Sequence, residues 1–366
     1  MTVGFYAPLP PAPSGVADYA AALLGALRRL GTVEVAPQRC DAALYHLGNN
    51  RLHEEIYRLA LRRPGVVVLH DAVLHHFLLG HLGEREYVEE FVYNYGEWNR
   101  GLALELWRGR SASATDVRYF QFPLLKRIAE RARAVVVHNP AAARLVKEQA
   151  PETPVVEIPH LFQPPDVSLL EEATRYRQRL GFPAEAFVFG VFGFLRESKR
   201  LVAVLETLAE LRPDHPRAAL LVAGTFVSSD LERAVRPLLA QPGVVRVPYL
   251  SPRDFWRAAG AVDACINLRY PAAGETSGIA IRLMGIGKPV LVTDSEEGSR
   301  FPEDACIRIV SGLAERDSLR QHMVLLTSVP EVAQAIGRRA AEYIRVHHSL
   351  EHVARLYWDT LCEYRS

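Results

Sequence analysis

Short, continuously apolar runs alternate with stretches of helical periodicity along the whole chain. Such runs, bounded by turn residues, are typical of strands that are buried on both faces of a parallel sheet. In the first half of the chain they predict strands over residues 3–6, 33–35, 42–45, 66–69, 134–137 and 155–158. In the second half they predict strands over residues 187–192, 220–223, 244–247, 264–268, 290–293 and 307–310. The alternation therefore predicts an α/β protein with two parallel sheets, each covered by helices.

Three segments interrupt the alternation and indicate the domain organisation. Residues 84–133 have helical periodicity with many aromatic and charged side chains, and we expect them to cap the first sheet and contribute to acceptor specificity. Residues 159–166, PHLFQPPD, are proline-rich, as is typical of a crossing between domains. Residues 349–364 form an amphipathic helical pattern. We predict a first domain over residues 1–163, a second over residues 164–348 and a terminal helix over residues 349–366.

Composition and charge remove several classes of function. The chain has 366 residues, of which 49% are hydrophobic, and this is enough to form two cores of ordinary size. Its formal net charge of +1 argues against nucleic acid as a partner. The N-terminus enters a predicted strand directly, without a signal core, and no apolar run reaches membrane-spanning length. We therefore expect a cytoplasmic protein with no integral membrane segment.

The cysteines support the same assignment to the cytoplasm. They lie far apart and show no paired metal-ligand spacing, which indicates reduced thiols that serve in packing. The four residues are Cys40, Cys265, Cys306 and Cys362.

The most informative segment is RYPAAGETSGIAIRLMGIGKPVLVTD, residues 269–294. Its order is strand, glycine-rich loop, helix and strand. Gly274 allows a close approach of the backbone to a ligand, and Thr276 or Ser277 can cap a helix whose first amides bind phosphate. The Glu275 carboxylate would repel phosphate but can accept hydrogen bonds from sugar hydroxyls. A ligand that carries both a sugar and a phosphate therefore fits this segment best.

This segment resembles the donor site of retaining glycosyltransferases of the glycogen-synthase-like family 4. The similarity rests on Gly274, Glu275, Gly278 and the run GKPV at residues 287–290. The resemblance implies the GT-B fold, in which two Rossmann-like parallel-sheet domains face each other across a deep cleft and the terminal helix returns to the N-terminal domain. It also implies that Glu275 holds the hydroxyls of the donor sugar.

One departure from the family pattern concerns the ribose. The family has a second glutamate further along the helix that binds the ribose of the nucleotide. Counting from Glu275 gives Leu283 at that place, and aligning from Gly287 gives Arg282. Neither residue can act as an anionic acceptor. Arg282 has an alternative role, since its guanidinium can turn toward the diphosphate.

The start of the second domain shows another partial match. In FVFGVFGFLRESKR, residues 187–200, Lys199 stands where the family has a lysine that neutralises the donor diphosphate. Phe194 occupies the position of the family's arginine. Because one cation stabilises a departing diphosphate poorly, we expect Arg196 or Arg200 to supply the second positive charge.

Two candidate residues come from the first domain. Ser14 and Gly15 end the proline-stiffened loop PLPPAPSG before a helical run, and Gly15 resembles the family's N-terminal loop glycine beside the donor diphosphate. A surface turn explains the same residues equally well. His70 follows a predicted strand directly, at the end of the strand where ligands bind, and matches a family histidine near the transferred sugar.

The other histidines give weaker signals. His75, His76 and His81 match no zinc signature, so we predict no metal site. His138 and His160 follow two further strands, where a role at the edge of the site and a role in packing both remain open.

We therefore expect a hexosyltransferase that uses a UDP- or GDP-linked sugar, needs no further cofactor and acts on a glycan or small-molecule acceptor. The resemblance implies retention of anomeric configuration. Because Lys199, a nearby arginine and the helix amides would stabilise the departing diphosphate, we expect no requirement for a metal ion. Two alternatives keep the same fold, because fold does not determine chemistry. One is a sugar-nucleotide epimerase or a phosphorylase. The other is a non-catalytic protein that binds sugar nucleotides.

Overall fold

The computed structural model describes residues 1–365 and contains two six-stranded, all-parallel sheets. The strands are β1 Thr2–Tyr6, β2 Thr32–Val35, β3 Ala42–Leu47, β4 Val66–Leu69, β5 Ala134–Val137, β6 Val155–Glu157, β7 Phe187–Phe192, β8 Ala218–Ala223, β9 Val244–Val247, β10 Ala264–Asn267, β11 Val290–Thr293 and β12 Ile307–Ile309. Every strand predicted from the apolar runs is present. The prediction of a two-sheet α/β protein is thereby confirmed.

The helices connect and cover these strands. They are α1 Gly15–Leu27, α2 Glu54–Arg62, α3 His75–His81, α4 Glu84–Tyr95, α5 Arg100–Arg108, α6 Arg118–Gln121, α7 Lys126–Arg131, α8 Pro140–Gln149, α9 Val167–Glu171, α10 Ala173–Arg179, α11 Leu201–Leu211, α12 Ser229–Leu239, α13 Pro252–Ala261, α14 Gly278–Gly285, α15 Glu315–Ser328, α16 Pro330–His347 and α17 Leu350–Glu363. Short 3₁₀ turns occupy Arg51–His53, Glu97–Asn99, Arg110–Ala112, Glu197–Lys199, Glu296–Gly298 and Gly312–Ala314.

The chain divides into two compact units. The N-terminal unit comprises residues 1–161, residues 271–276 and the segment from His347 onward. The C-terminal unit comprises residues 162–270 and 277–346. The loop 271–276 therefore belongs to the N-terminal unit, although the strands on both sides of it belong to the other unit.

The sheet of the N-terminal unit has the order β2-β1-β3-β4-β5-β6 and two apolar faces. Because successive side chains of a strand point to opposite faces, Tyr45 and Val67 pack with the cluster under α2 to α8, whereas Leu44 and Val68 pack with α1 and α17. The helical segment predicted over residues 84–133 appears as α4 to α7, which contribute to the first of these clusters. The hydroxyls of Tyr19 and Tyr357 lie 2.9 Å apart and join α1 to α17.

The sheet of the C-terminal unit has the order β12-β11-β10-β7-β8-β9. Strand β7 lies at its centre, between β10 and β8, and every residue of β7 is buried. The order of the strands reverses at β7, and a ligand crevice forms at such a switch point in open α/β sheets. The loop that follows β7 is therefore a natural place for a binding site.

Candidate functional site

The loop 271–276 lies against the carboxyl end of β4. The N–H of Ala72 donates to the carbonyl oxygen of Ala273 at 2.9 Å. Gly274 has a φ of 68°, and a Cβ at this position would lie 2.6 Å from the Cβ of Ala72. Both the positive φ and the lack of space require glycine at this position. The close approach predicted for Gly274 is thus, in this structure, an approach to the protein's own backbone.

Asn139 holds the same loop to the carboxyl end of β5. Its side-chain amide donates to the carbonyl of Gly274 and to the hydroxyl of Thr276, both at 3.0 Å. Its Oδ1 accepts from the N–H of Ala142 at 2.9 Å and so caps α8. Asn139 is only 1% exposed. Asn139 was not among the residues predicted from the sequence, although an Asn-Pro pair one residue after a buried strand was a usable signal.

Glu275 is the next-to-last residue of the loop and is partly exposed. One oxygen of its carboxylate accepts from the N–H of Ala273 at 2.7 Å, and this bond orients the side chain. Thr276 donates to the carbonyl of His138 at 3.2 Å. The structure therefore gives Thr276 a role in anchoring the loop, and the helix cap falls to the next residue, Ser277.

His70 follows β4 immediately, as predicted, and lies two residues before Ala72. Its Nε2 is 3.0 Å from Nδ1 of His46, a buried residue of β3. The ring of Tyr19 contacts the His70 ring edge-on at 4.8 Å between centroids, and the ring of His138 lies at 5.2 Å. Burial, and secondarily the neighbouring histidines, hold the pKa of His70 well below its usual value, so the ring is neutral at pH 7.

Two further histidines, His138 and His160, lie in the same group of aromatic rings as His70. His138 lies 7% exposed at the end of β5, and its Nδ1 donates to the carbonyl of Ile158 at 2.9 Å. The ring of His160 contacts those of Tyr19 and His138, at 4.8 and 5.6 Å between centroids. The structure thus groups both residues with His70, whereas His75 is held elsewhere by the Tyr87 hydroxyl, 2.8 Å from its Nε2.

Gly15 is the first residue of α1 and is exposed. Ser14 caps this helix by accepting from the N–H of Val16 at 3.2 Å. A Cβ on Gly15 would meet no protein atom within 4 Å. Packing inside the protein therefore does not require glycine here, and the helix start has open space beside it.

In the C-terminal unit, the loop after β7 is closely packed. Gly193 has a φ of 90°, and a Cβ on Gly224 would lie 1.8 Å from its carbonyl oxygen. The N–H of Leu195 donates to Thr225 at 2.8 Å. These contacts hold the loop that leads to Lys199 against the end of β8.

Lys199 ends the short 3₁₀ turn of this loop and is only 6% exposed. The N–H of Tyr270 donates at 2.8 Å to the carbonyl oxygen of Ser198, the residue before Lys199. Burial raises the pKa of the Cys265 thiol to about 12, and the positive charges of Lys199 and Arg269 oppose this rise. Lys199 and Arg269 thus both act electrostatically on Cys265, the second residue of β10.

The two arginines that flank Lys199 in sequence have different environments. Arg200 has a left-handed φ of 58°, and its Nε donates to both carboxylate oxygens of Glu315, at 2.8 and 3.1 Å. Glu315 is 2% exposed, so Arg200 neutralises a buried carboxylate. Arg196 is exposed. Of the two candidates for the second cation, Arg196 is the one for which the structure shows no buried partner among residues 1–365.

Helix α14 begins directly after the loop 271–276. The Oγ of Ser277 accepts from the N–H of Ala280 at 3.3 Å and donates to Oδ1 of Asn267 at 3.2 Å. Gly278 is the first helical residue, and it leaves the N-terminal amides uncrowded by a side chain. The positive end of this helix is therefore presented where the sequence predicted phosphate binding.

The two residues at the place of the ribose-binding glutamate point in different directions. Leu283 is fully buried in a core cluster of the C-terminal unit. Arg282 is partly exposed, and its guanidinium lies 5.5 Å from the centroid of the Phe255 ring. Leu283 is therefore inaccessible to a ligand in this structure, while Arg282 remains a candidate.

Within residues 1–365, no cluster of three or more His, Cys, Asp or Glu side chains could hold a metal ion. Over the same range, no helix combines the length and the apolar character needed to cross a bilayer.

The sequence matches no protein-family model and no curated protein. Solved structures do resemble the fold. HepE of Anabaena, in complex with UDP and glucose, aligns with a TM-score of 0.69 and 15% identity over 99% of this chain and 100% of its own. Sucrose-phosphate synthase of Thermosynechococcus elongatus gives 0.68 and 15% over the same shares, 99% and 100%. The glycosyltransferase WaaG gives 0.64 and 13% over 98% and 99%. The chain therefore has the GT-B fold over nearly its whole length.

Proposed function

We propose that this chain is a glycosyltransferase that moves a hexose from a nucleoside diphosphate sugar to a hydroxyl acceptor with retention of configuration. The observation that carries the proposal is the loop 271–276. Glu275 belongs to a loop that is bonded to Ala72 after β4 and to Asn139 after β5, and two residues later Ser277 caps the start of helix α14. A carboxylate for sugar hydroxyls thus precedes an anion-binding helix start within one short segment.

Different residues serve different parts of the donor. Glu275 accepts hydrogen bonds from the hydroxyls of the sugar, and His70 acts beside the sugar that is transferred. Gly15 leaves open space at the start of α1, which suits the close approach of a diphosphate or an acceptor. The complexes of HepE with UDP and with UDP-glucose make UDP the first nucleotide to test.

Cationic side chains and helix amides bind the diphosphate. Lys199 is a buried ammonium in the loop after β7. Ser277 accepts from the N–H of Ala280, and the amides of Gly278 and Ile279 before it are the ones assigned to the diphosphate. Arg196 or Arg282 supplies a second positive charge at the place where the family's arginine is replaced by Phe194, which is 46% exposed. Arg200 contributes indirectly, because its pairing with Glu315 fixes the backbone next to Lys199.

The chemistry follows from these roles. When the bond between the anomeric carbon and the diphosphate breaks, negative charge develops on the leaving group and positive charge on the sugar ring. Lys199 and the helix amides stabilise the leaving diphosphate, and their fixed positions avoid reorganisation during the reaction. The protein also holds the acceptor hydroxyl close to the anomeric carbon, on the face that the leaving group vacates. The acceptor oxygen bonds to that carbon, and its proton passes to the oxygen of the departing diphosphate. Delivery on that face gives retention.

A panel of donors tests the proposal. The purified chain is incubated with UDP-glucose, UDP-galactose, UDP-N-acetylglucosamine and GDP-mannose, with and without a panel of sugar acceptors, and released UDP or GDP is measured. We expect one nucleotide class to bind, and its release to rise when an acceptor is present. Anomeric proton couplings in the product report retention.

Other outcomes separate the competing functions. Epimerised sugar nucleotide from donor alone indicates an epimerase, and cleavage that needs inorganic phosphate indicates a phosphorylase. Binding of the donor without turnover with any acceptor favours a non-catalytic binding protein. Failure to bind any of these nucleotides by calorimetry contradicts the proposal. Arg196→Ala and Arg282→Ala, compared with the parent, identify which arginine contributes to diphosphate affinity.

A further inference from the structure

Several histidines of the N-terminal unit are buried around the carboxyl ends of β3, β4 and β5. In two of them the hydrogen bonds settle which nitrogen carries the proton. Nδ1 of His53 lies 2.9 Å from the carbonyl oxygen of His46, and Nδ1 of His138 lies 2.9 Å from that of Ile158. A carbonyl only accepts, so Nδ1 is the N–H in both rings. Within residues 1–365, the buried Nε2 of each ring has no partner, which fits a bare lone pair.

His46 shows the same pattern, but its partner is another histidine. Its Nδ1 lies 3.0 Å from Nε2 of His70, and its own Nε2 is buried without a partner among residues 1–365. Two assignments are possible. If His46 accepts through Nδ1, its Nε2 must carry an unpartnered buried N–H. If His46 donates through Nδ1, its Nε2 is an unpartnered lone pair.

The second assignment is favoured. Buried N–H groups without partners are rarer in proteins than unpartnered acceptors, because a lost donor is costly to desolvate. Burial lowers the pKa of His46 to about 3, so the ring is neutral at pH 7 and carries one proton. The bond between the two rings therefore has a single direction, from His46 to His70.

The assignment determines the tautomer of His70. Because its Nε2 accepts from His46, the proton of the neutral His70 ring must be on Nδ1. Over residues 1–365, Nδ1 of His70 has no protein partner and is not among the buried atoms. The ring is held in orientation by Tyr19 and by His138, at 4.8 and 5.2 Å. His70 thus offers one accessible N–H.

We propose that His46 is a positioning residue that holds His70 in its Nδ1–H tautomer, so that His70 donates a hydrogen bond to an oxygen of the donor sugar and does not act as a base. The ligand part of this inference rests on the proposed function. The tautomer part rests only on the contacts within the N-terminal unit. His46 itself touches no ligand and acts through His70.

Asn and Asp have nearly the same shape as each other, so replacing His46 by each in turn compares a hydrogen-bond donor with an acceptor at the same place. In His46→Asn the side-chain amide can donate to Nε2 of His70 in place of Nδ1. In His46→Asp an ionised carboxylate can only accept, which forces the His70 proton to Nε2 and removes the donor at Nδ1. At lower pH the pair gains a proton, and Nδ1 of His70 becomes an N–H again. Thermal melting of both variants verifies that they remain folded.

The tautomer is read by NMR of the full chain labelled with ¹⁵N-histidine, with His70→Ala used to assign the His70 signals. We expect proton-bearing Nδ1 and bare Nε2 for His70 in the parent and in His46→Asn. In His46→Asp at pH 8.5 we expect the reverse. A parent chain with the proton on Nε2 of His70 overturns the proposal, and so does an unchanged tautomer in His46→Asp.

Calorimetric titrations with UDP-glucose and with UDP test the role in binding. We expect His46→Asp to bind UDP-glucose roughly tenfold more weakly than the parent at pH 8.5, to recover affinity toward pH 6, and to bind UDP equally well throughout. The parent and His46→Asn should show little change over this range. Parallel losses for UDP and UDP-glucose, or a flat pH profile in His46→Asp, overturn the positioning role.

The NMR and calorimetric results together distinguish a failure of the proposed function from a failure of the proposed role of His46. If the parent binds neither UDP nor UDP-glucose but shows the Nδ1–H tautomer, the assignment of the proton stands and the sugar ligand is refuted. If the parent binds both but His70 carries its proton on Nε2, the proposed function stands and the role of His46 is refuted.

Discussion

Asn139→Asp should detach the loop 271–276 while leaving α8 capped. The substitution keeps the shape of the side chain and keeps Oδ1, which accepts from Ala142 at 2.9 Å. It replaces the amide that donates to Gly274 and to Thr276, both at 3.0 Å. A carboxylate oxygen would then face the Gly274 carbonyl oxygen at hydrogen-bond distance. The perturbation is therefore confined to the attachment of the loop.

The expected magnitude follows from these contacts. Each lost hydrogen bond removes about 1 kcal/mol, and leaving the buried Gly274 carbonyl without a donor adds roughly 1–3 kcal/mol. A carboxylate at the start of α8 interacts favourably with the helix dipole, which offsets about 0.3–1 kcal/mol of this loss. The attachment of the loop should weaken by about 2–5 kcal/mol. The loss of global stability is limited to the free energy that holds the loop, because a detached loop no longer contributes.

The assays are urea denaturation and calorimetric titration with UDP-glucose. Donor affinity should fall in proportion to the fraction of molecules with the loop attached. A shift of about 2 kcal/mol lowers the equilibrium constant for attachment roughly thirtyfold. The defect relative to the parent at the same pH should be smaller at pH 5 than at pH 8. Burial beside a carbonyl raises the pKa of the new carboxyl, and its protonated form can donate again.

Two variants of the partner residue serve as controls. Thr276→Ser retains the hydroxyl that Asn139 and His138 contact, so it should behave almost like the parent. Thr276→Val removes the hydroxyl and should show part of the defect. The reasoning is refuted if Asn139→Asp retains both the stability and the UDP-glucose affinity of the parent at pH 8.

Four further outcomes are expected. Lys199→Met should weaken UDP binding about ten- to hundredfold through loss of a charge-assisted contact, and unchanged affinity by calorimetry would remove Lys199 from the site. Glu275→Gln should impair binding of UDP-glucose more than that of UDP, whereas equal losses would indicate a structural role. Removal of the ribose 2′-hydroxyl from UDP should cost less than about 1 kcal/mol, because Leu283 is buried and accepts no hydrogen bond, and a larger penalty would reveal another ribose acceptor. Burial lowers the pKa of His46 to about 3 and that of His138 to about 4, while the unfolded chain takes up these protons near pH 6.5. The unfolding free energy should therefore be constant above about pH 6.5 and fall below it by up to about 1.4 kcal/mol per pH unit for each histidine, and a flat profile in urea denaturation would contradict this assignment.

The strands and their class could be predicted because the signal is local. A parallel strand covered by helices on both faces is apolar at nearly every position, so β4, β5 and β7 are visible as runs of adjacent residues. The placement of His70 follows from the same signal, because the residue after a strand lies at its carboxyl end. The capping residue of α14 could be narrowed only to two neighbours, Thr276 and Ser277, since both hydroxyls can cap.

The partners of charged residues could not be predicted because they lie far apart in sequence. Arg200 pairs with Glu315, and no local sequence pattern around either residue predicts this pair. The sequence alone therefore left Arg196 and Arg200 as equal candidates for the second cation. The fold separates them, because one meets a buried carboxylate and the other remains at the surface.

By itself, the sequence determined the two parallel sheets, the ends of strands at which ligands bind, and the glycine-rich segment with Glu275. These depend on periodicity and on the conformational freedom of glycine, which act over a few neighbouring residues. Only the tertiary structure decided that the loop 271–276 joins the N-terminal unit through Ala72 and Asn139, and that Nδ1 of His46 lies 3.0 Å from Nε2 of His70. Such contacts depend on the order of the strands in the sheet, and local sequence patterns carry no record of that order.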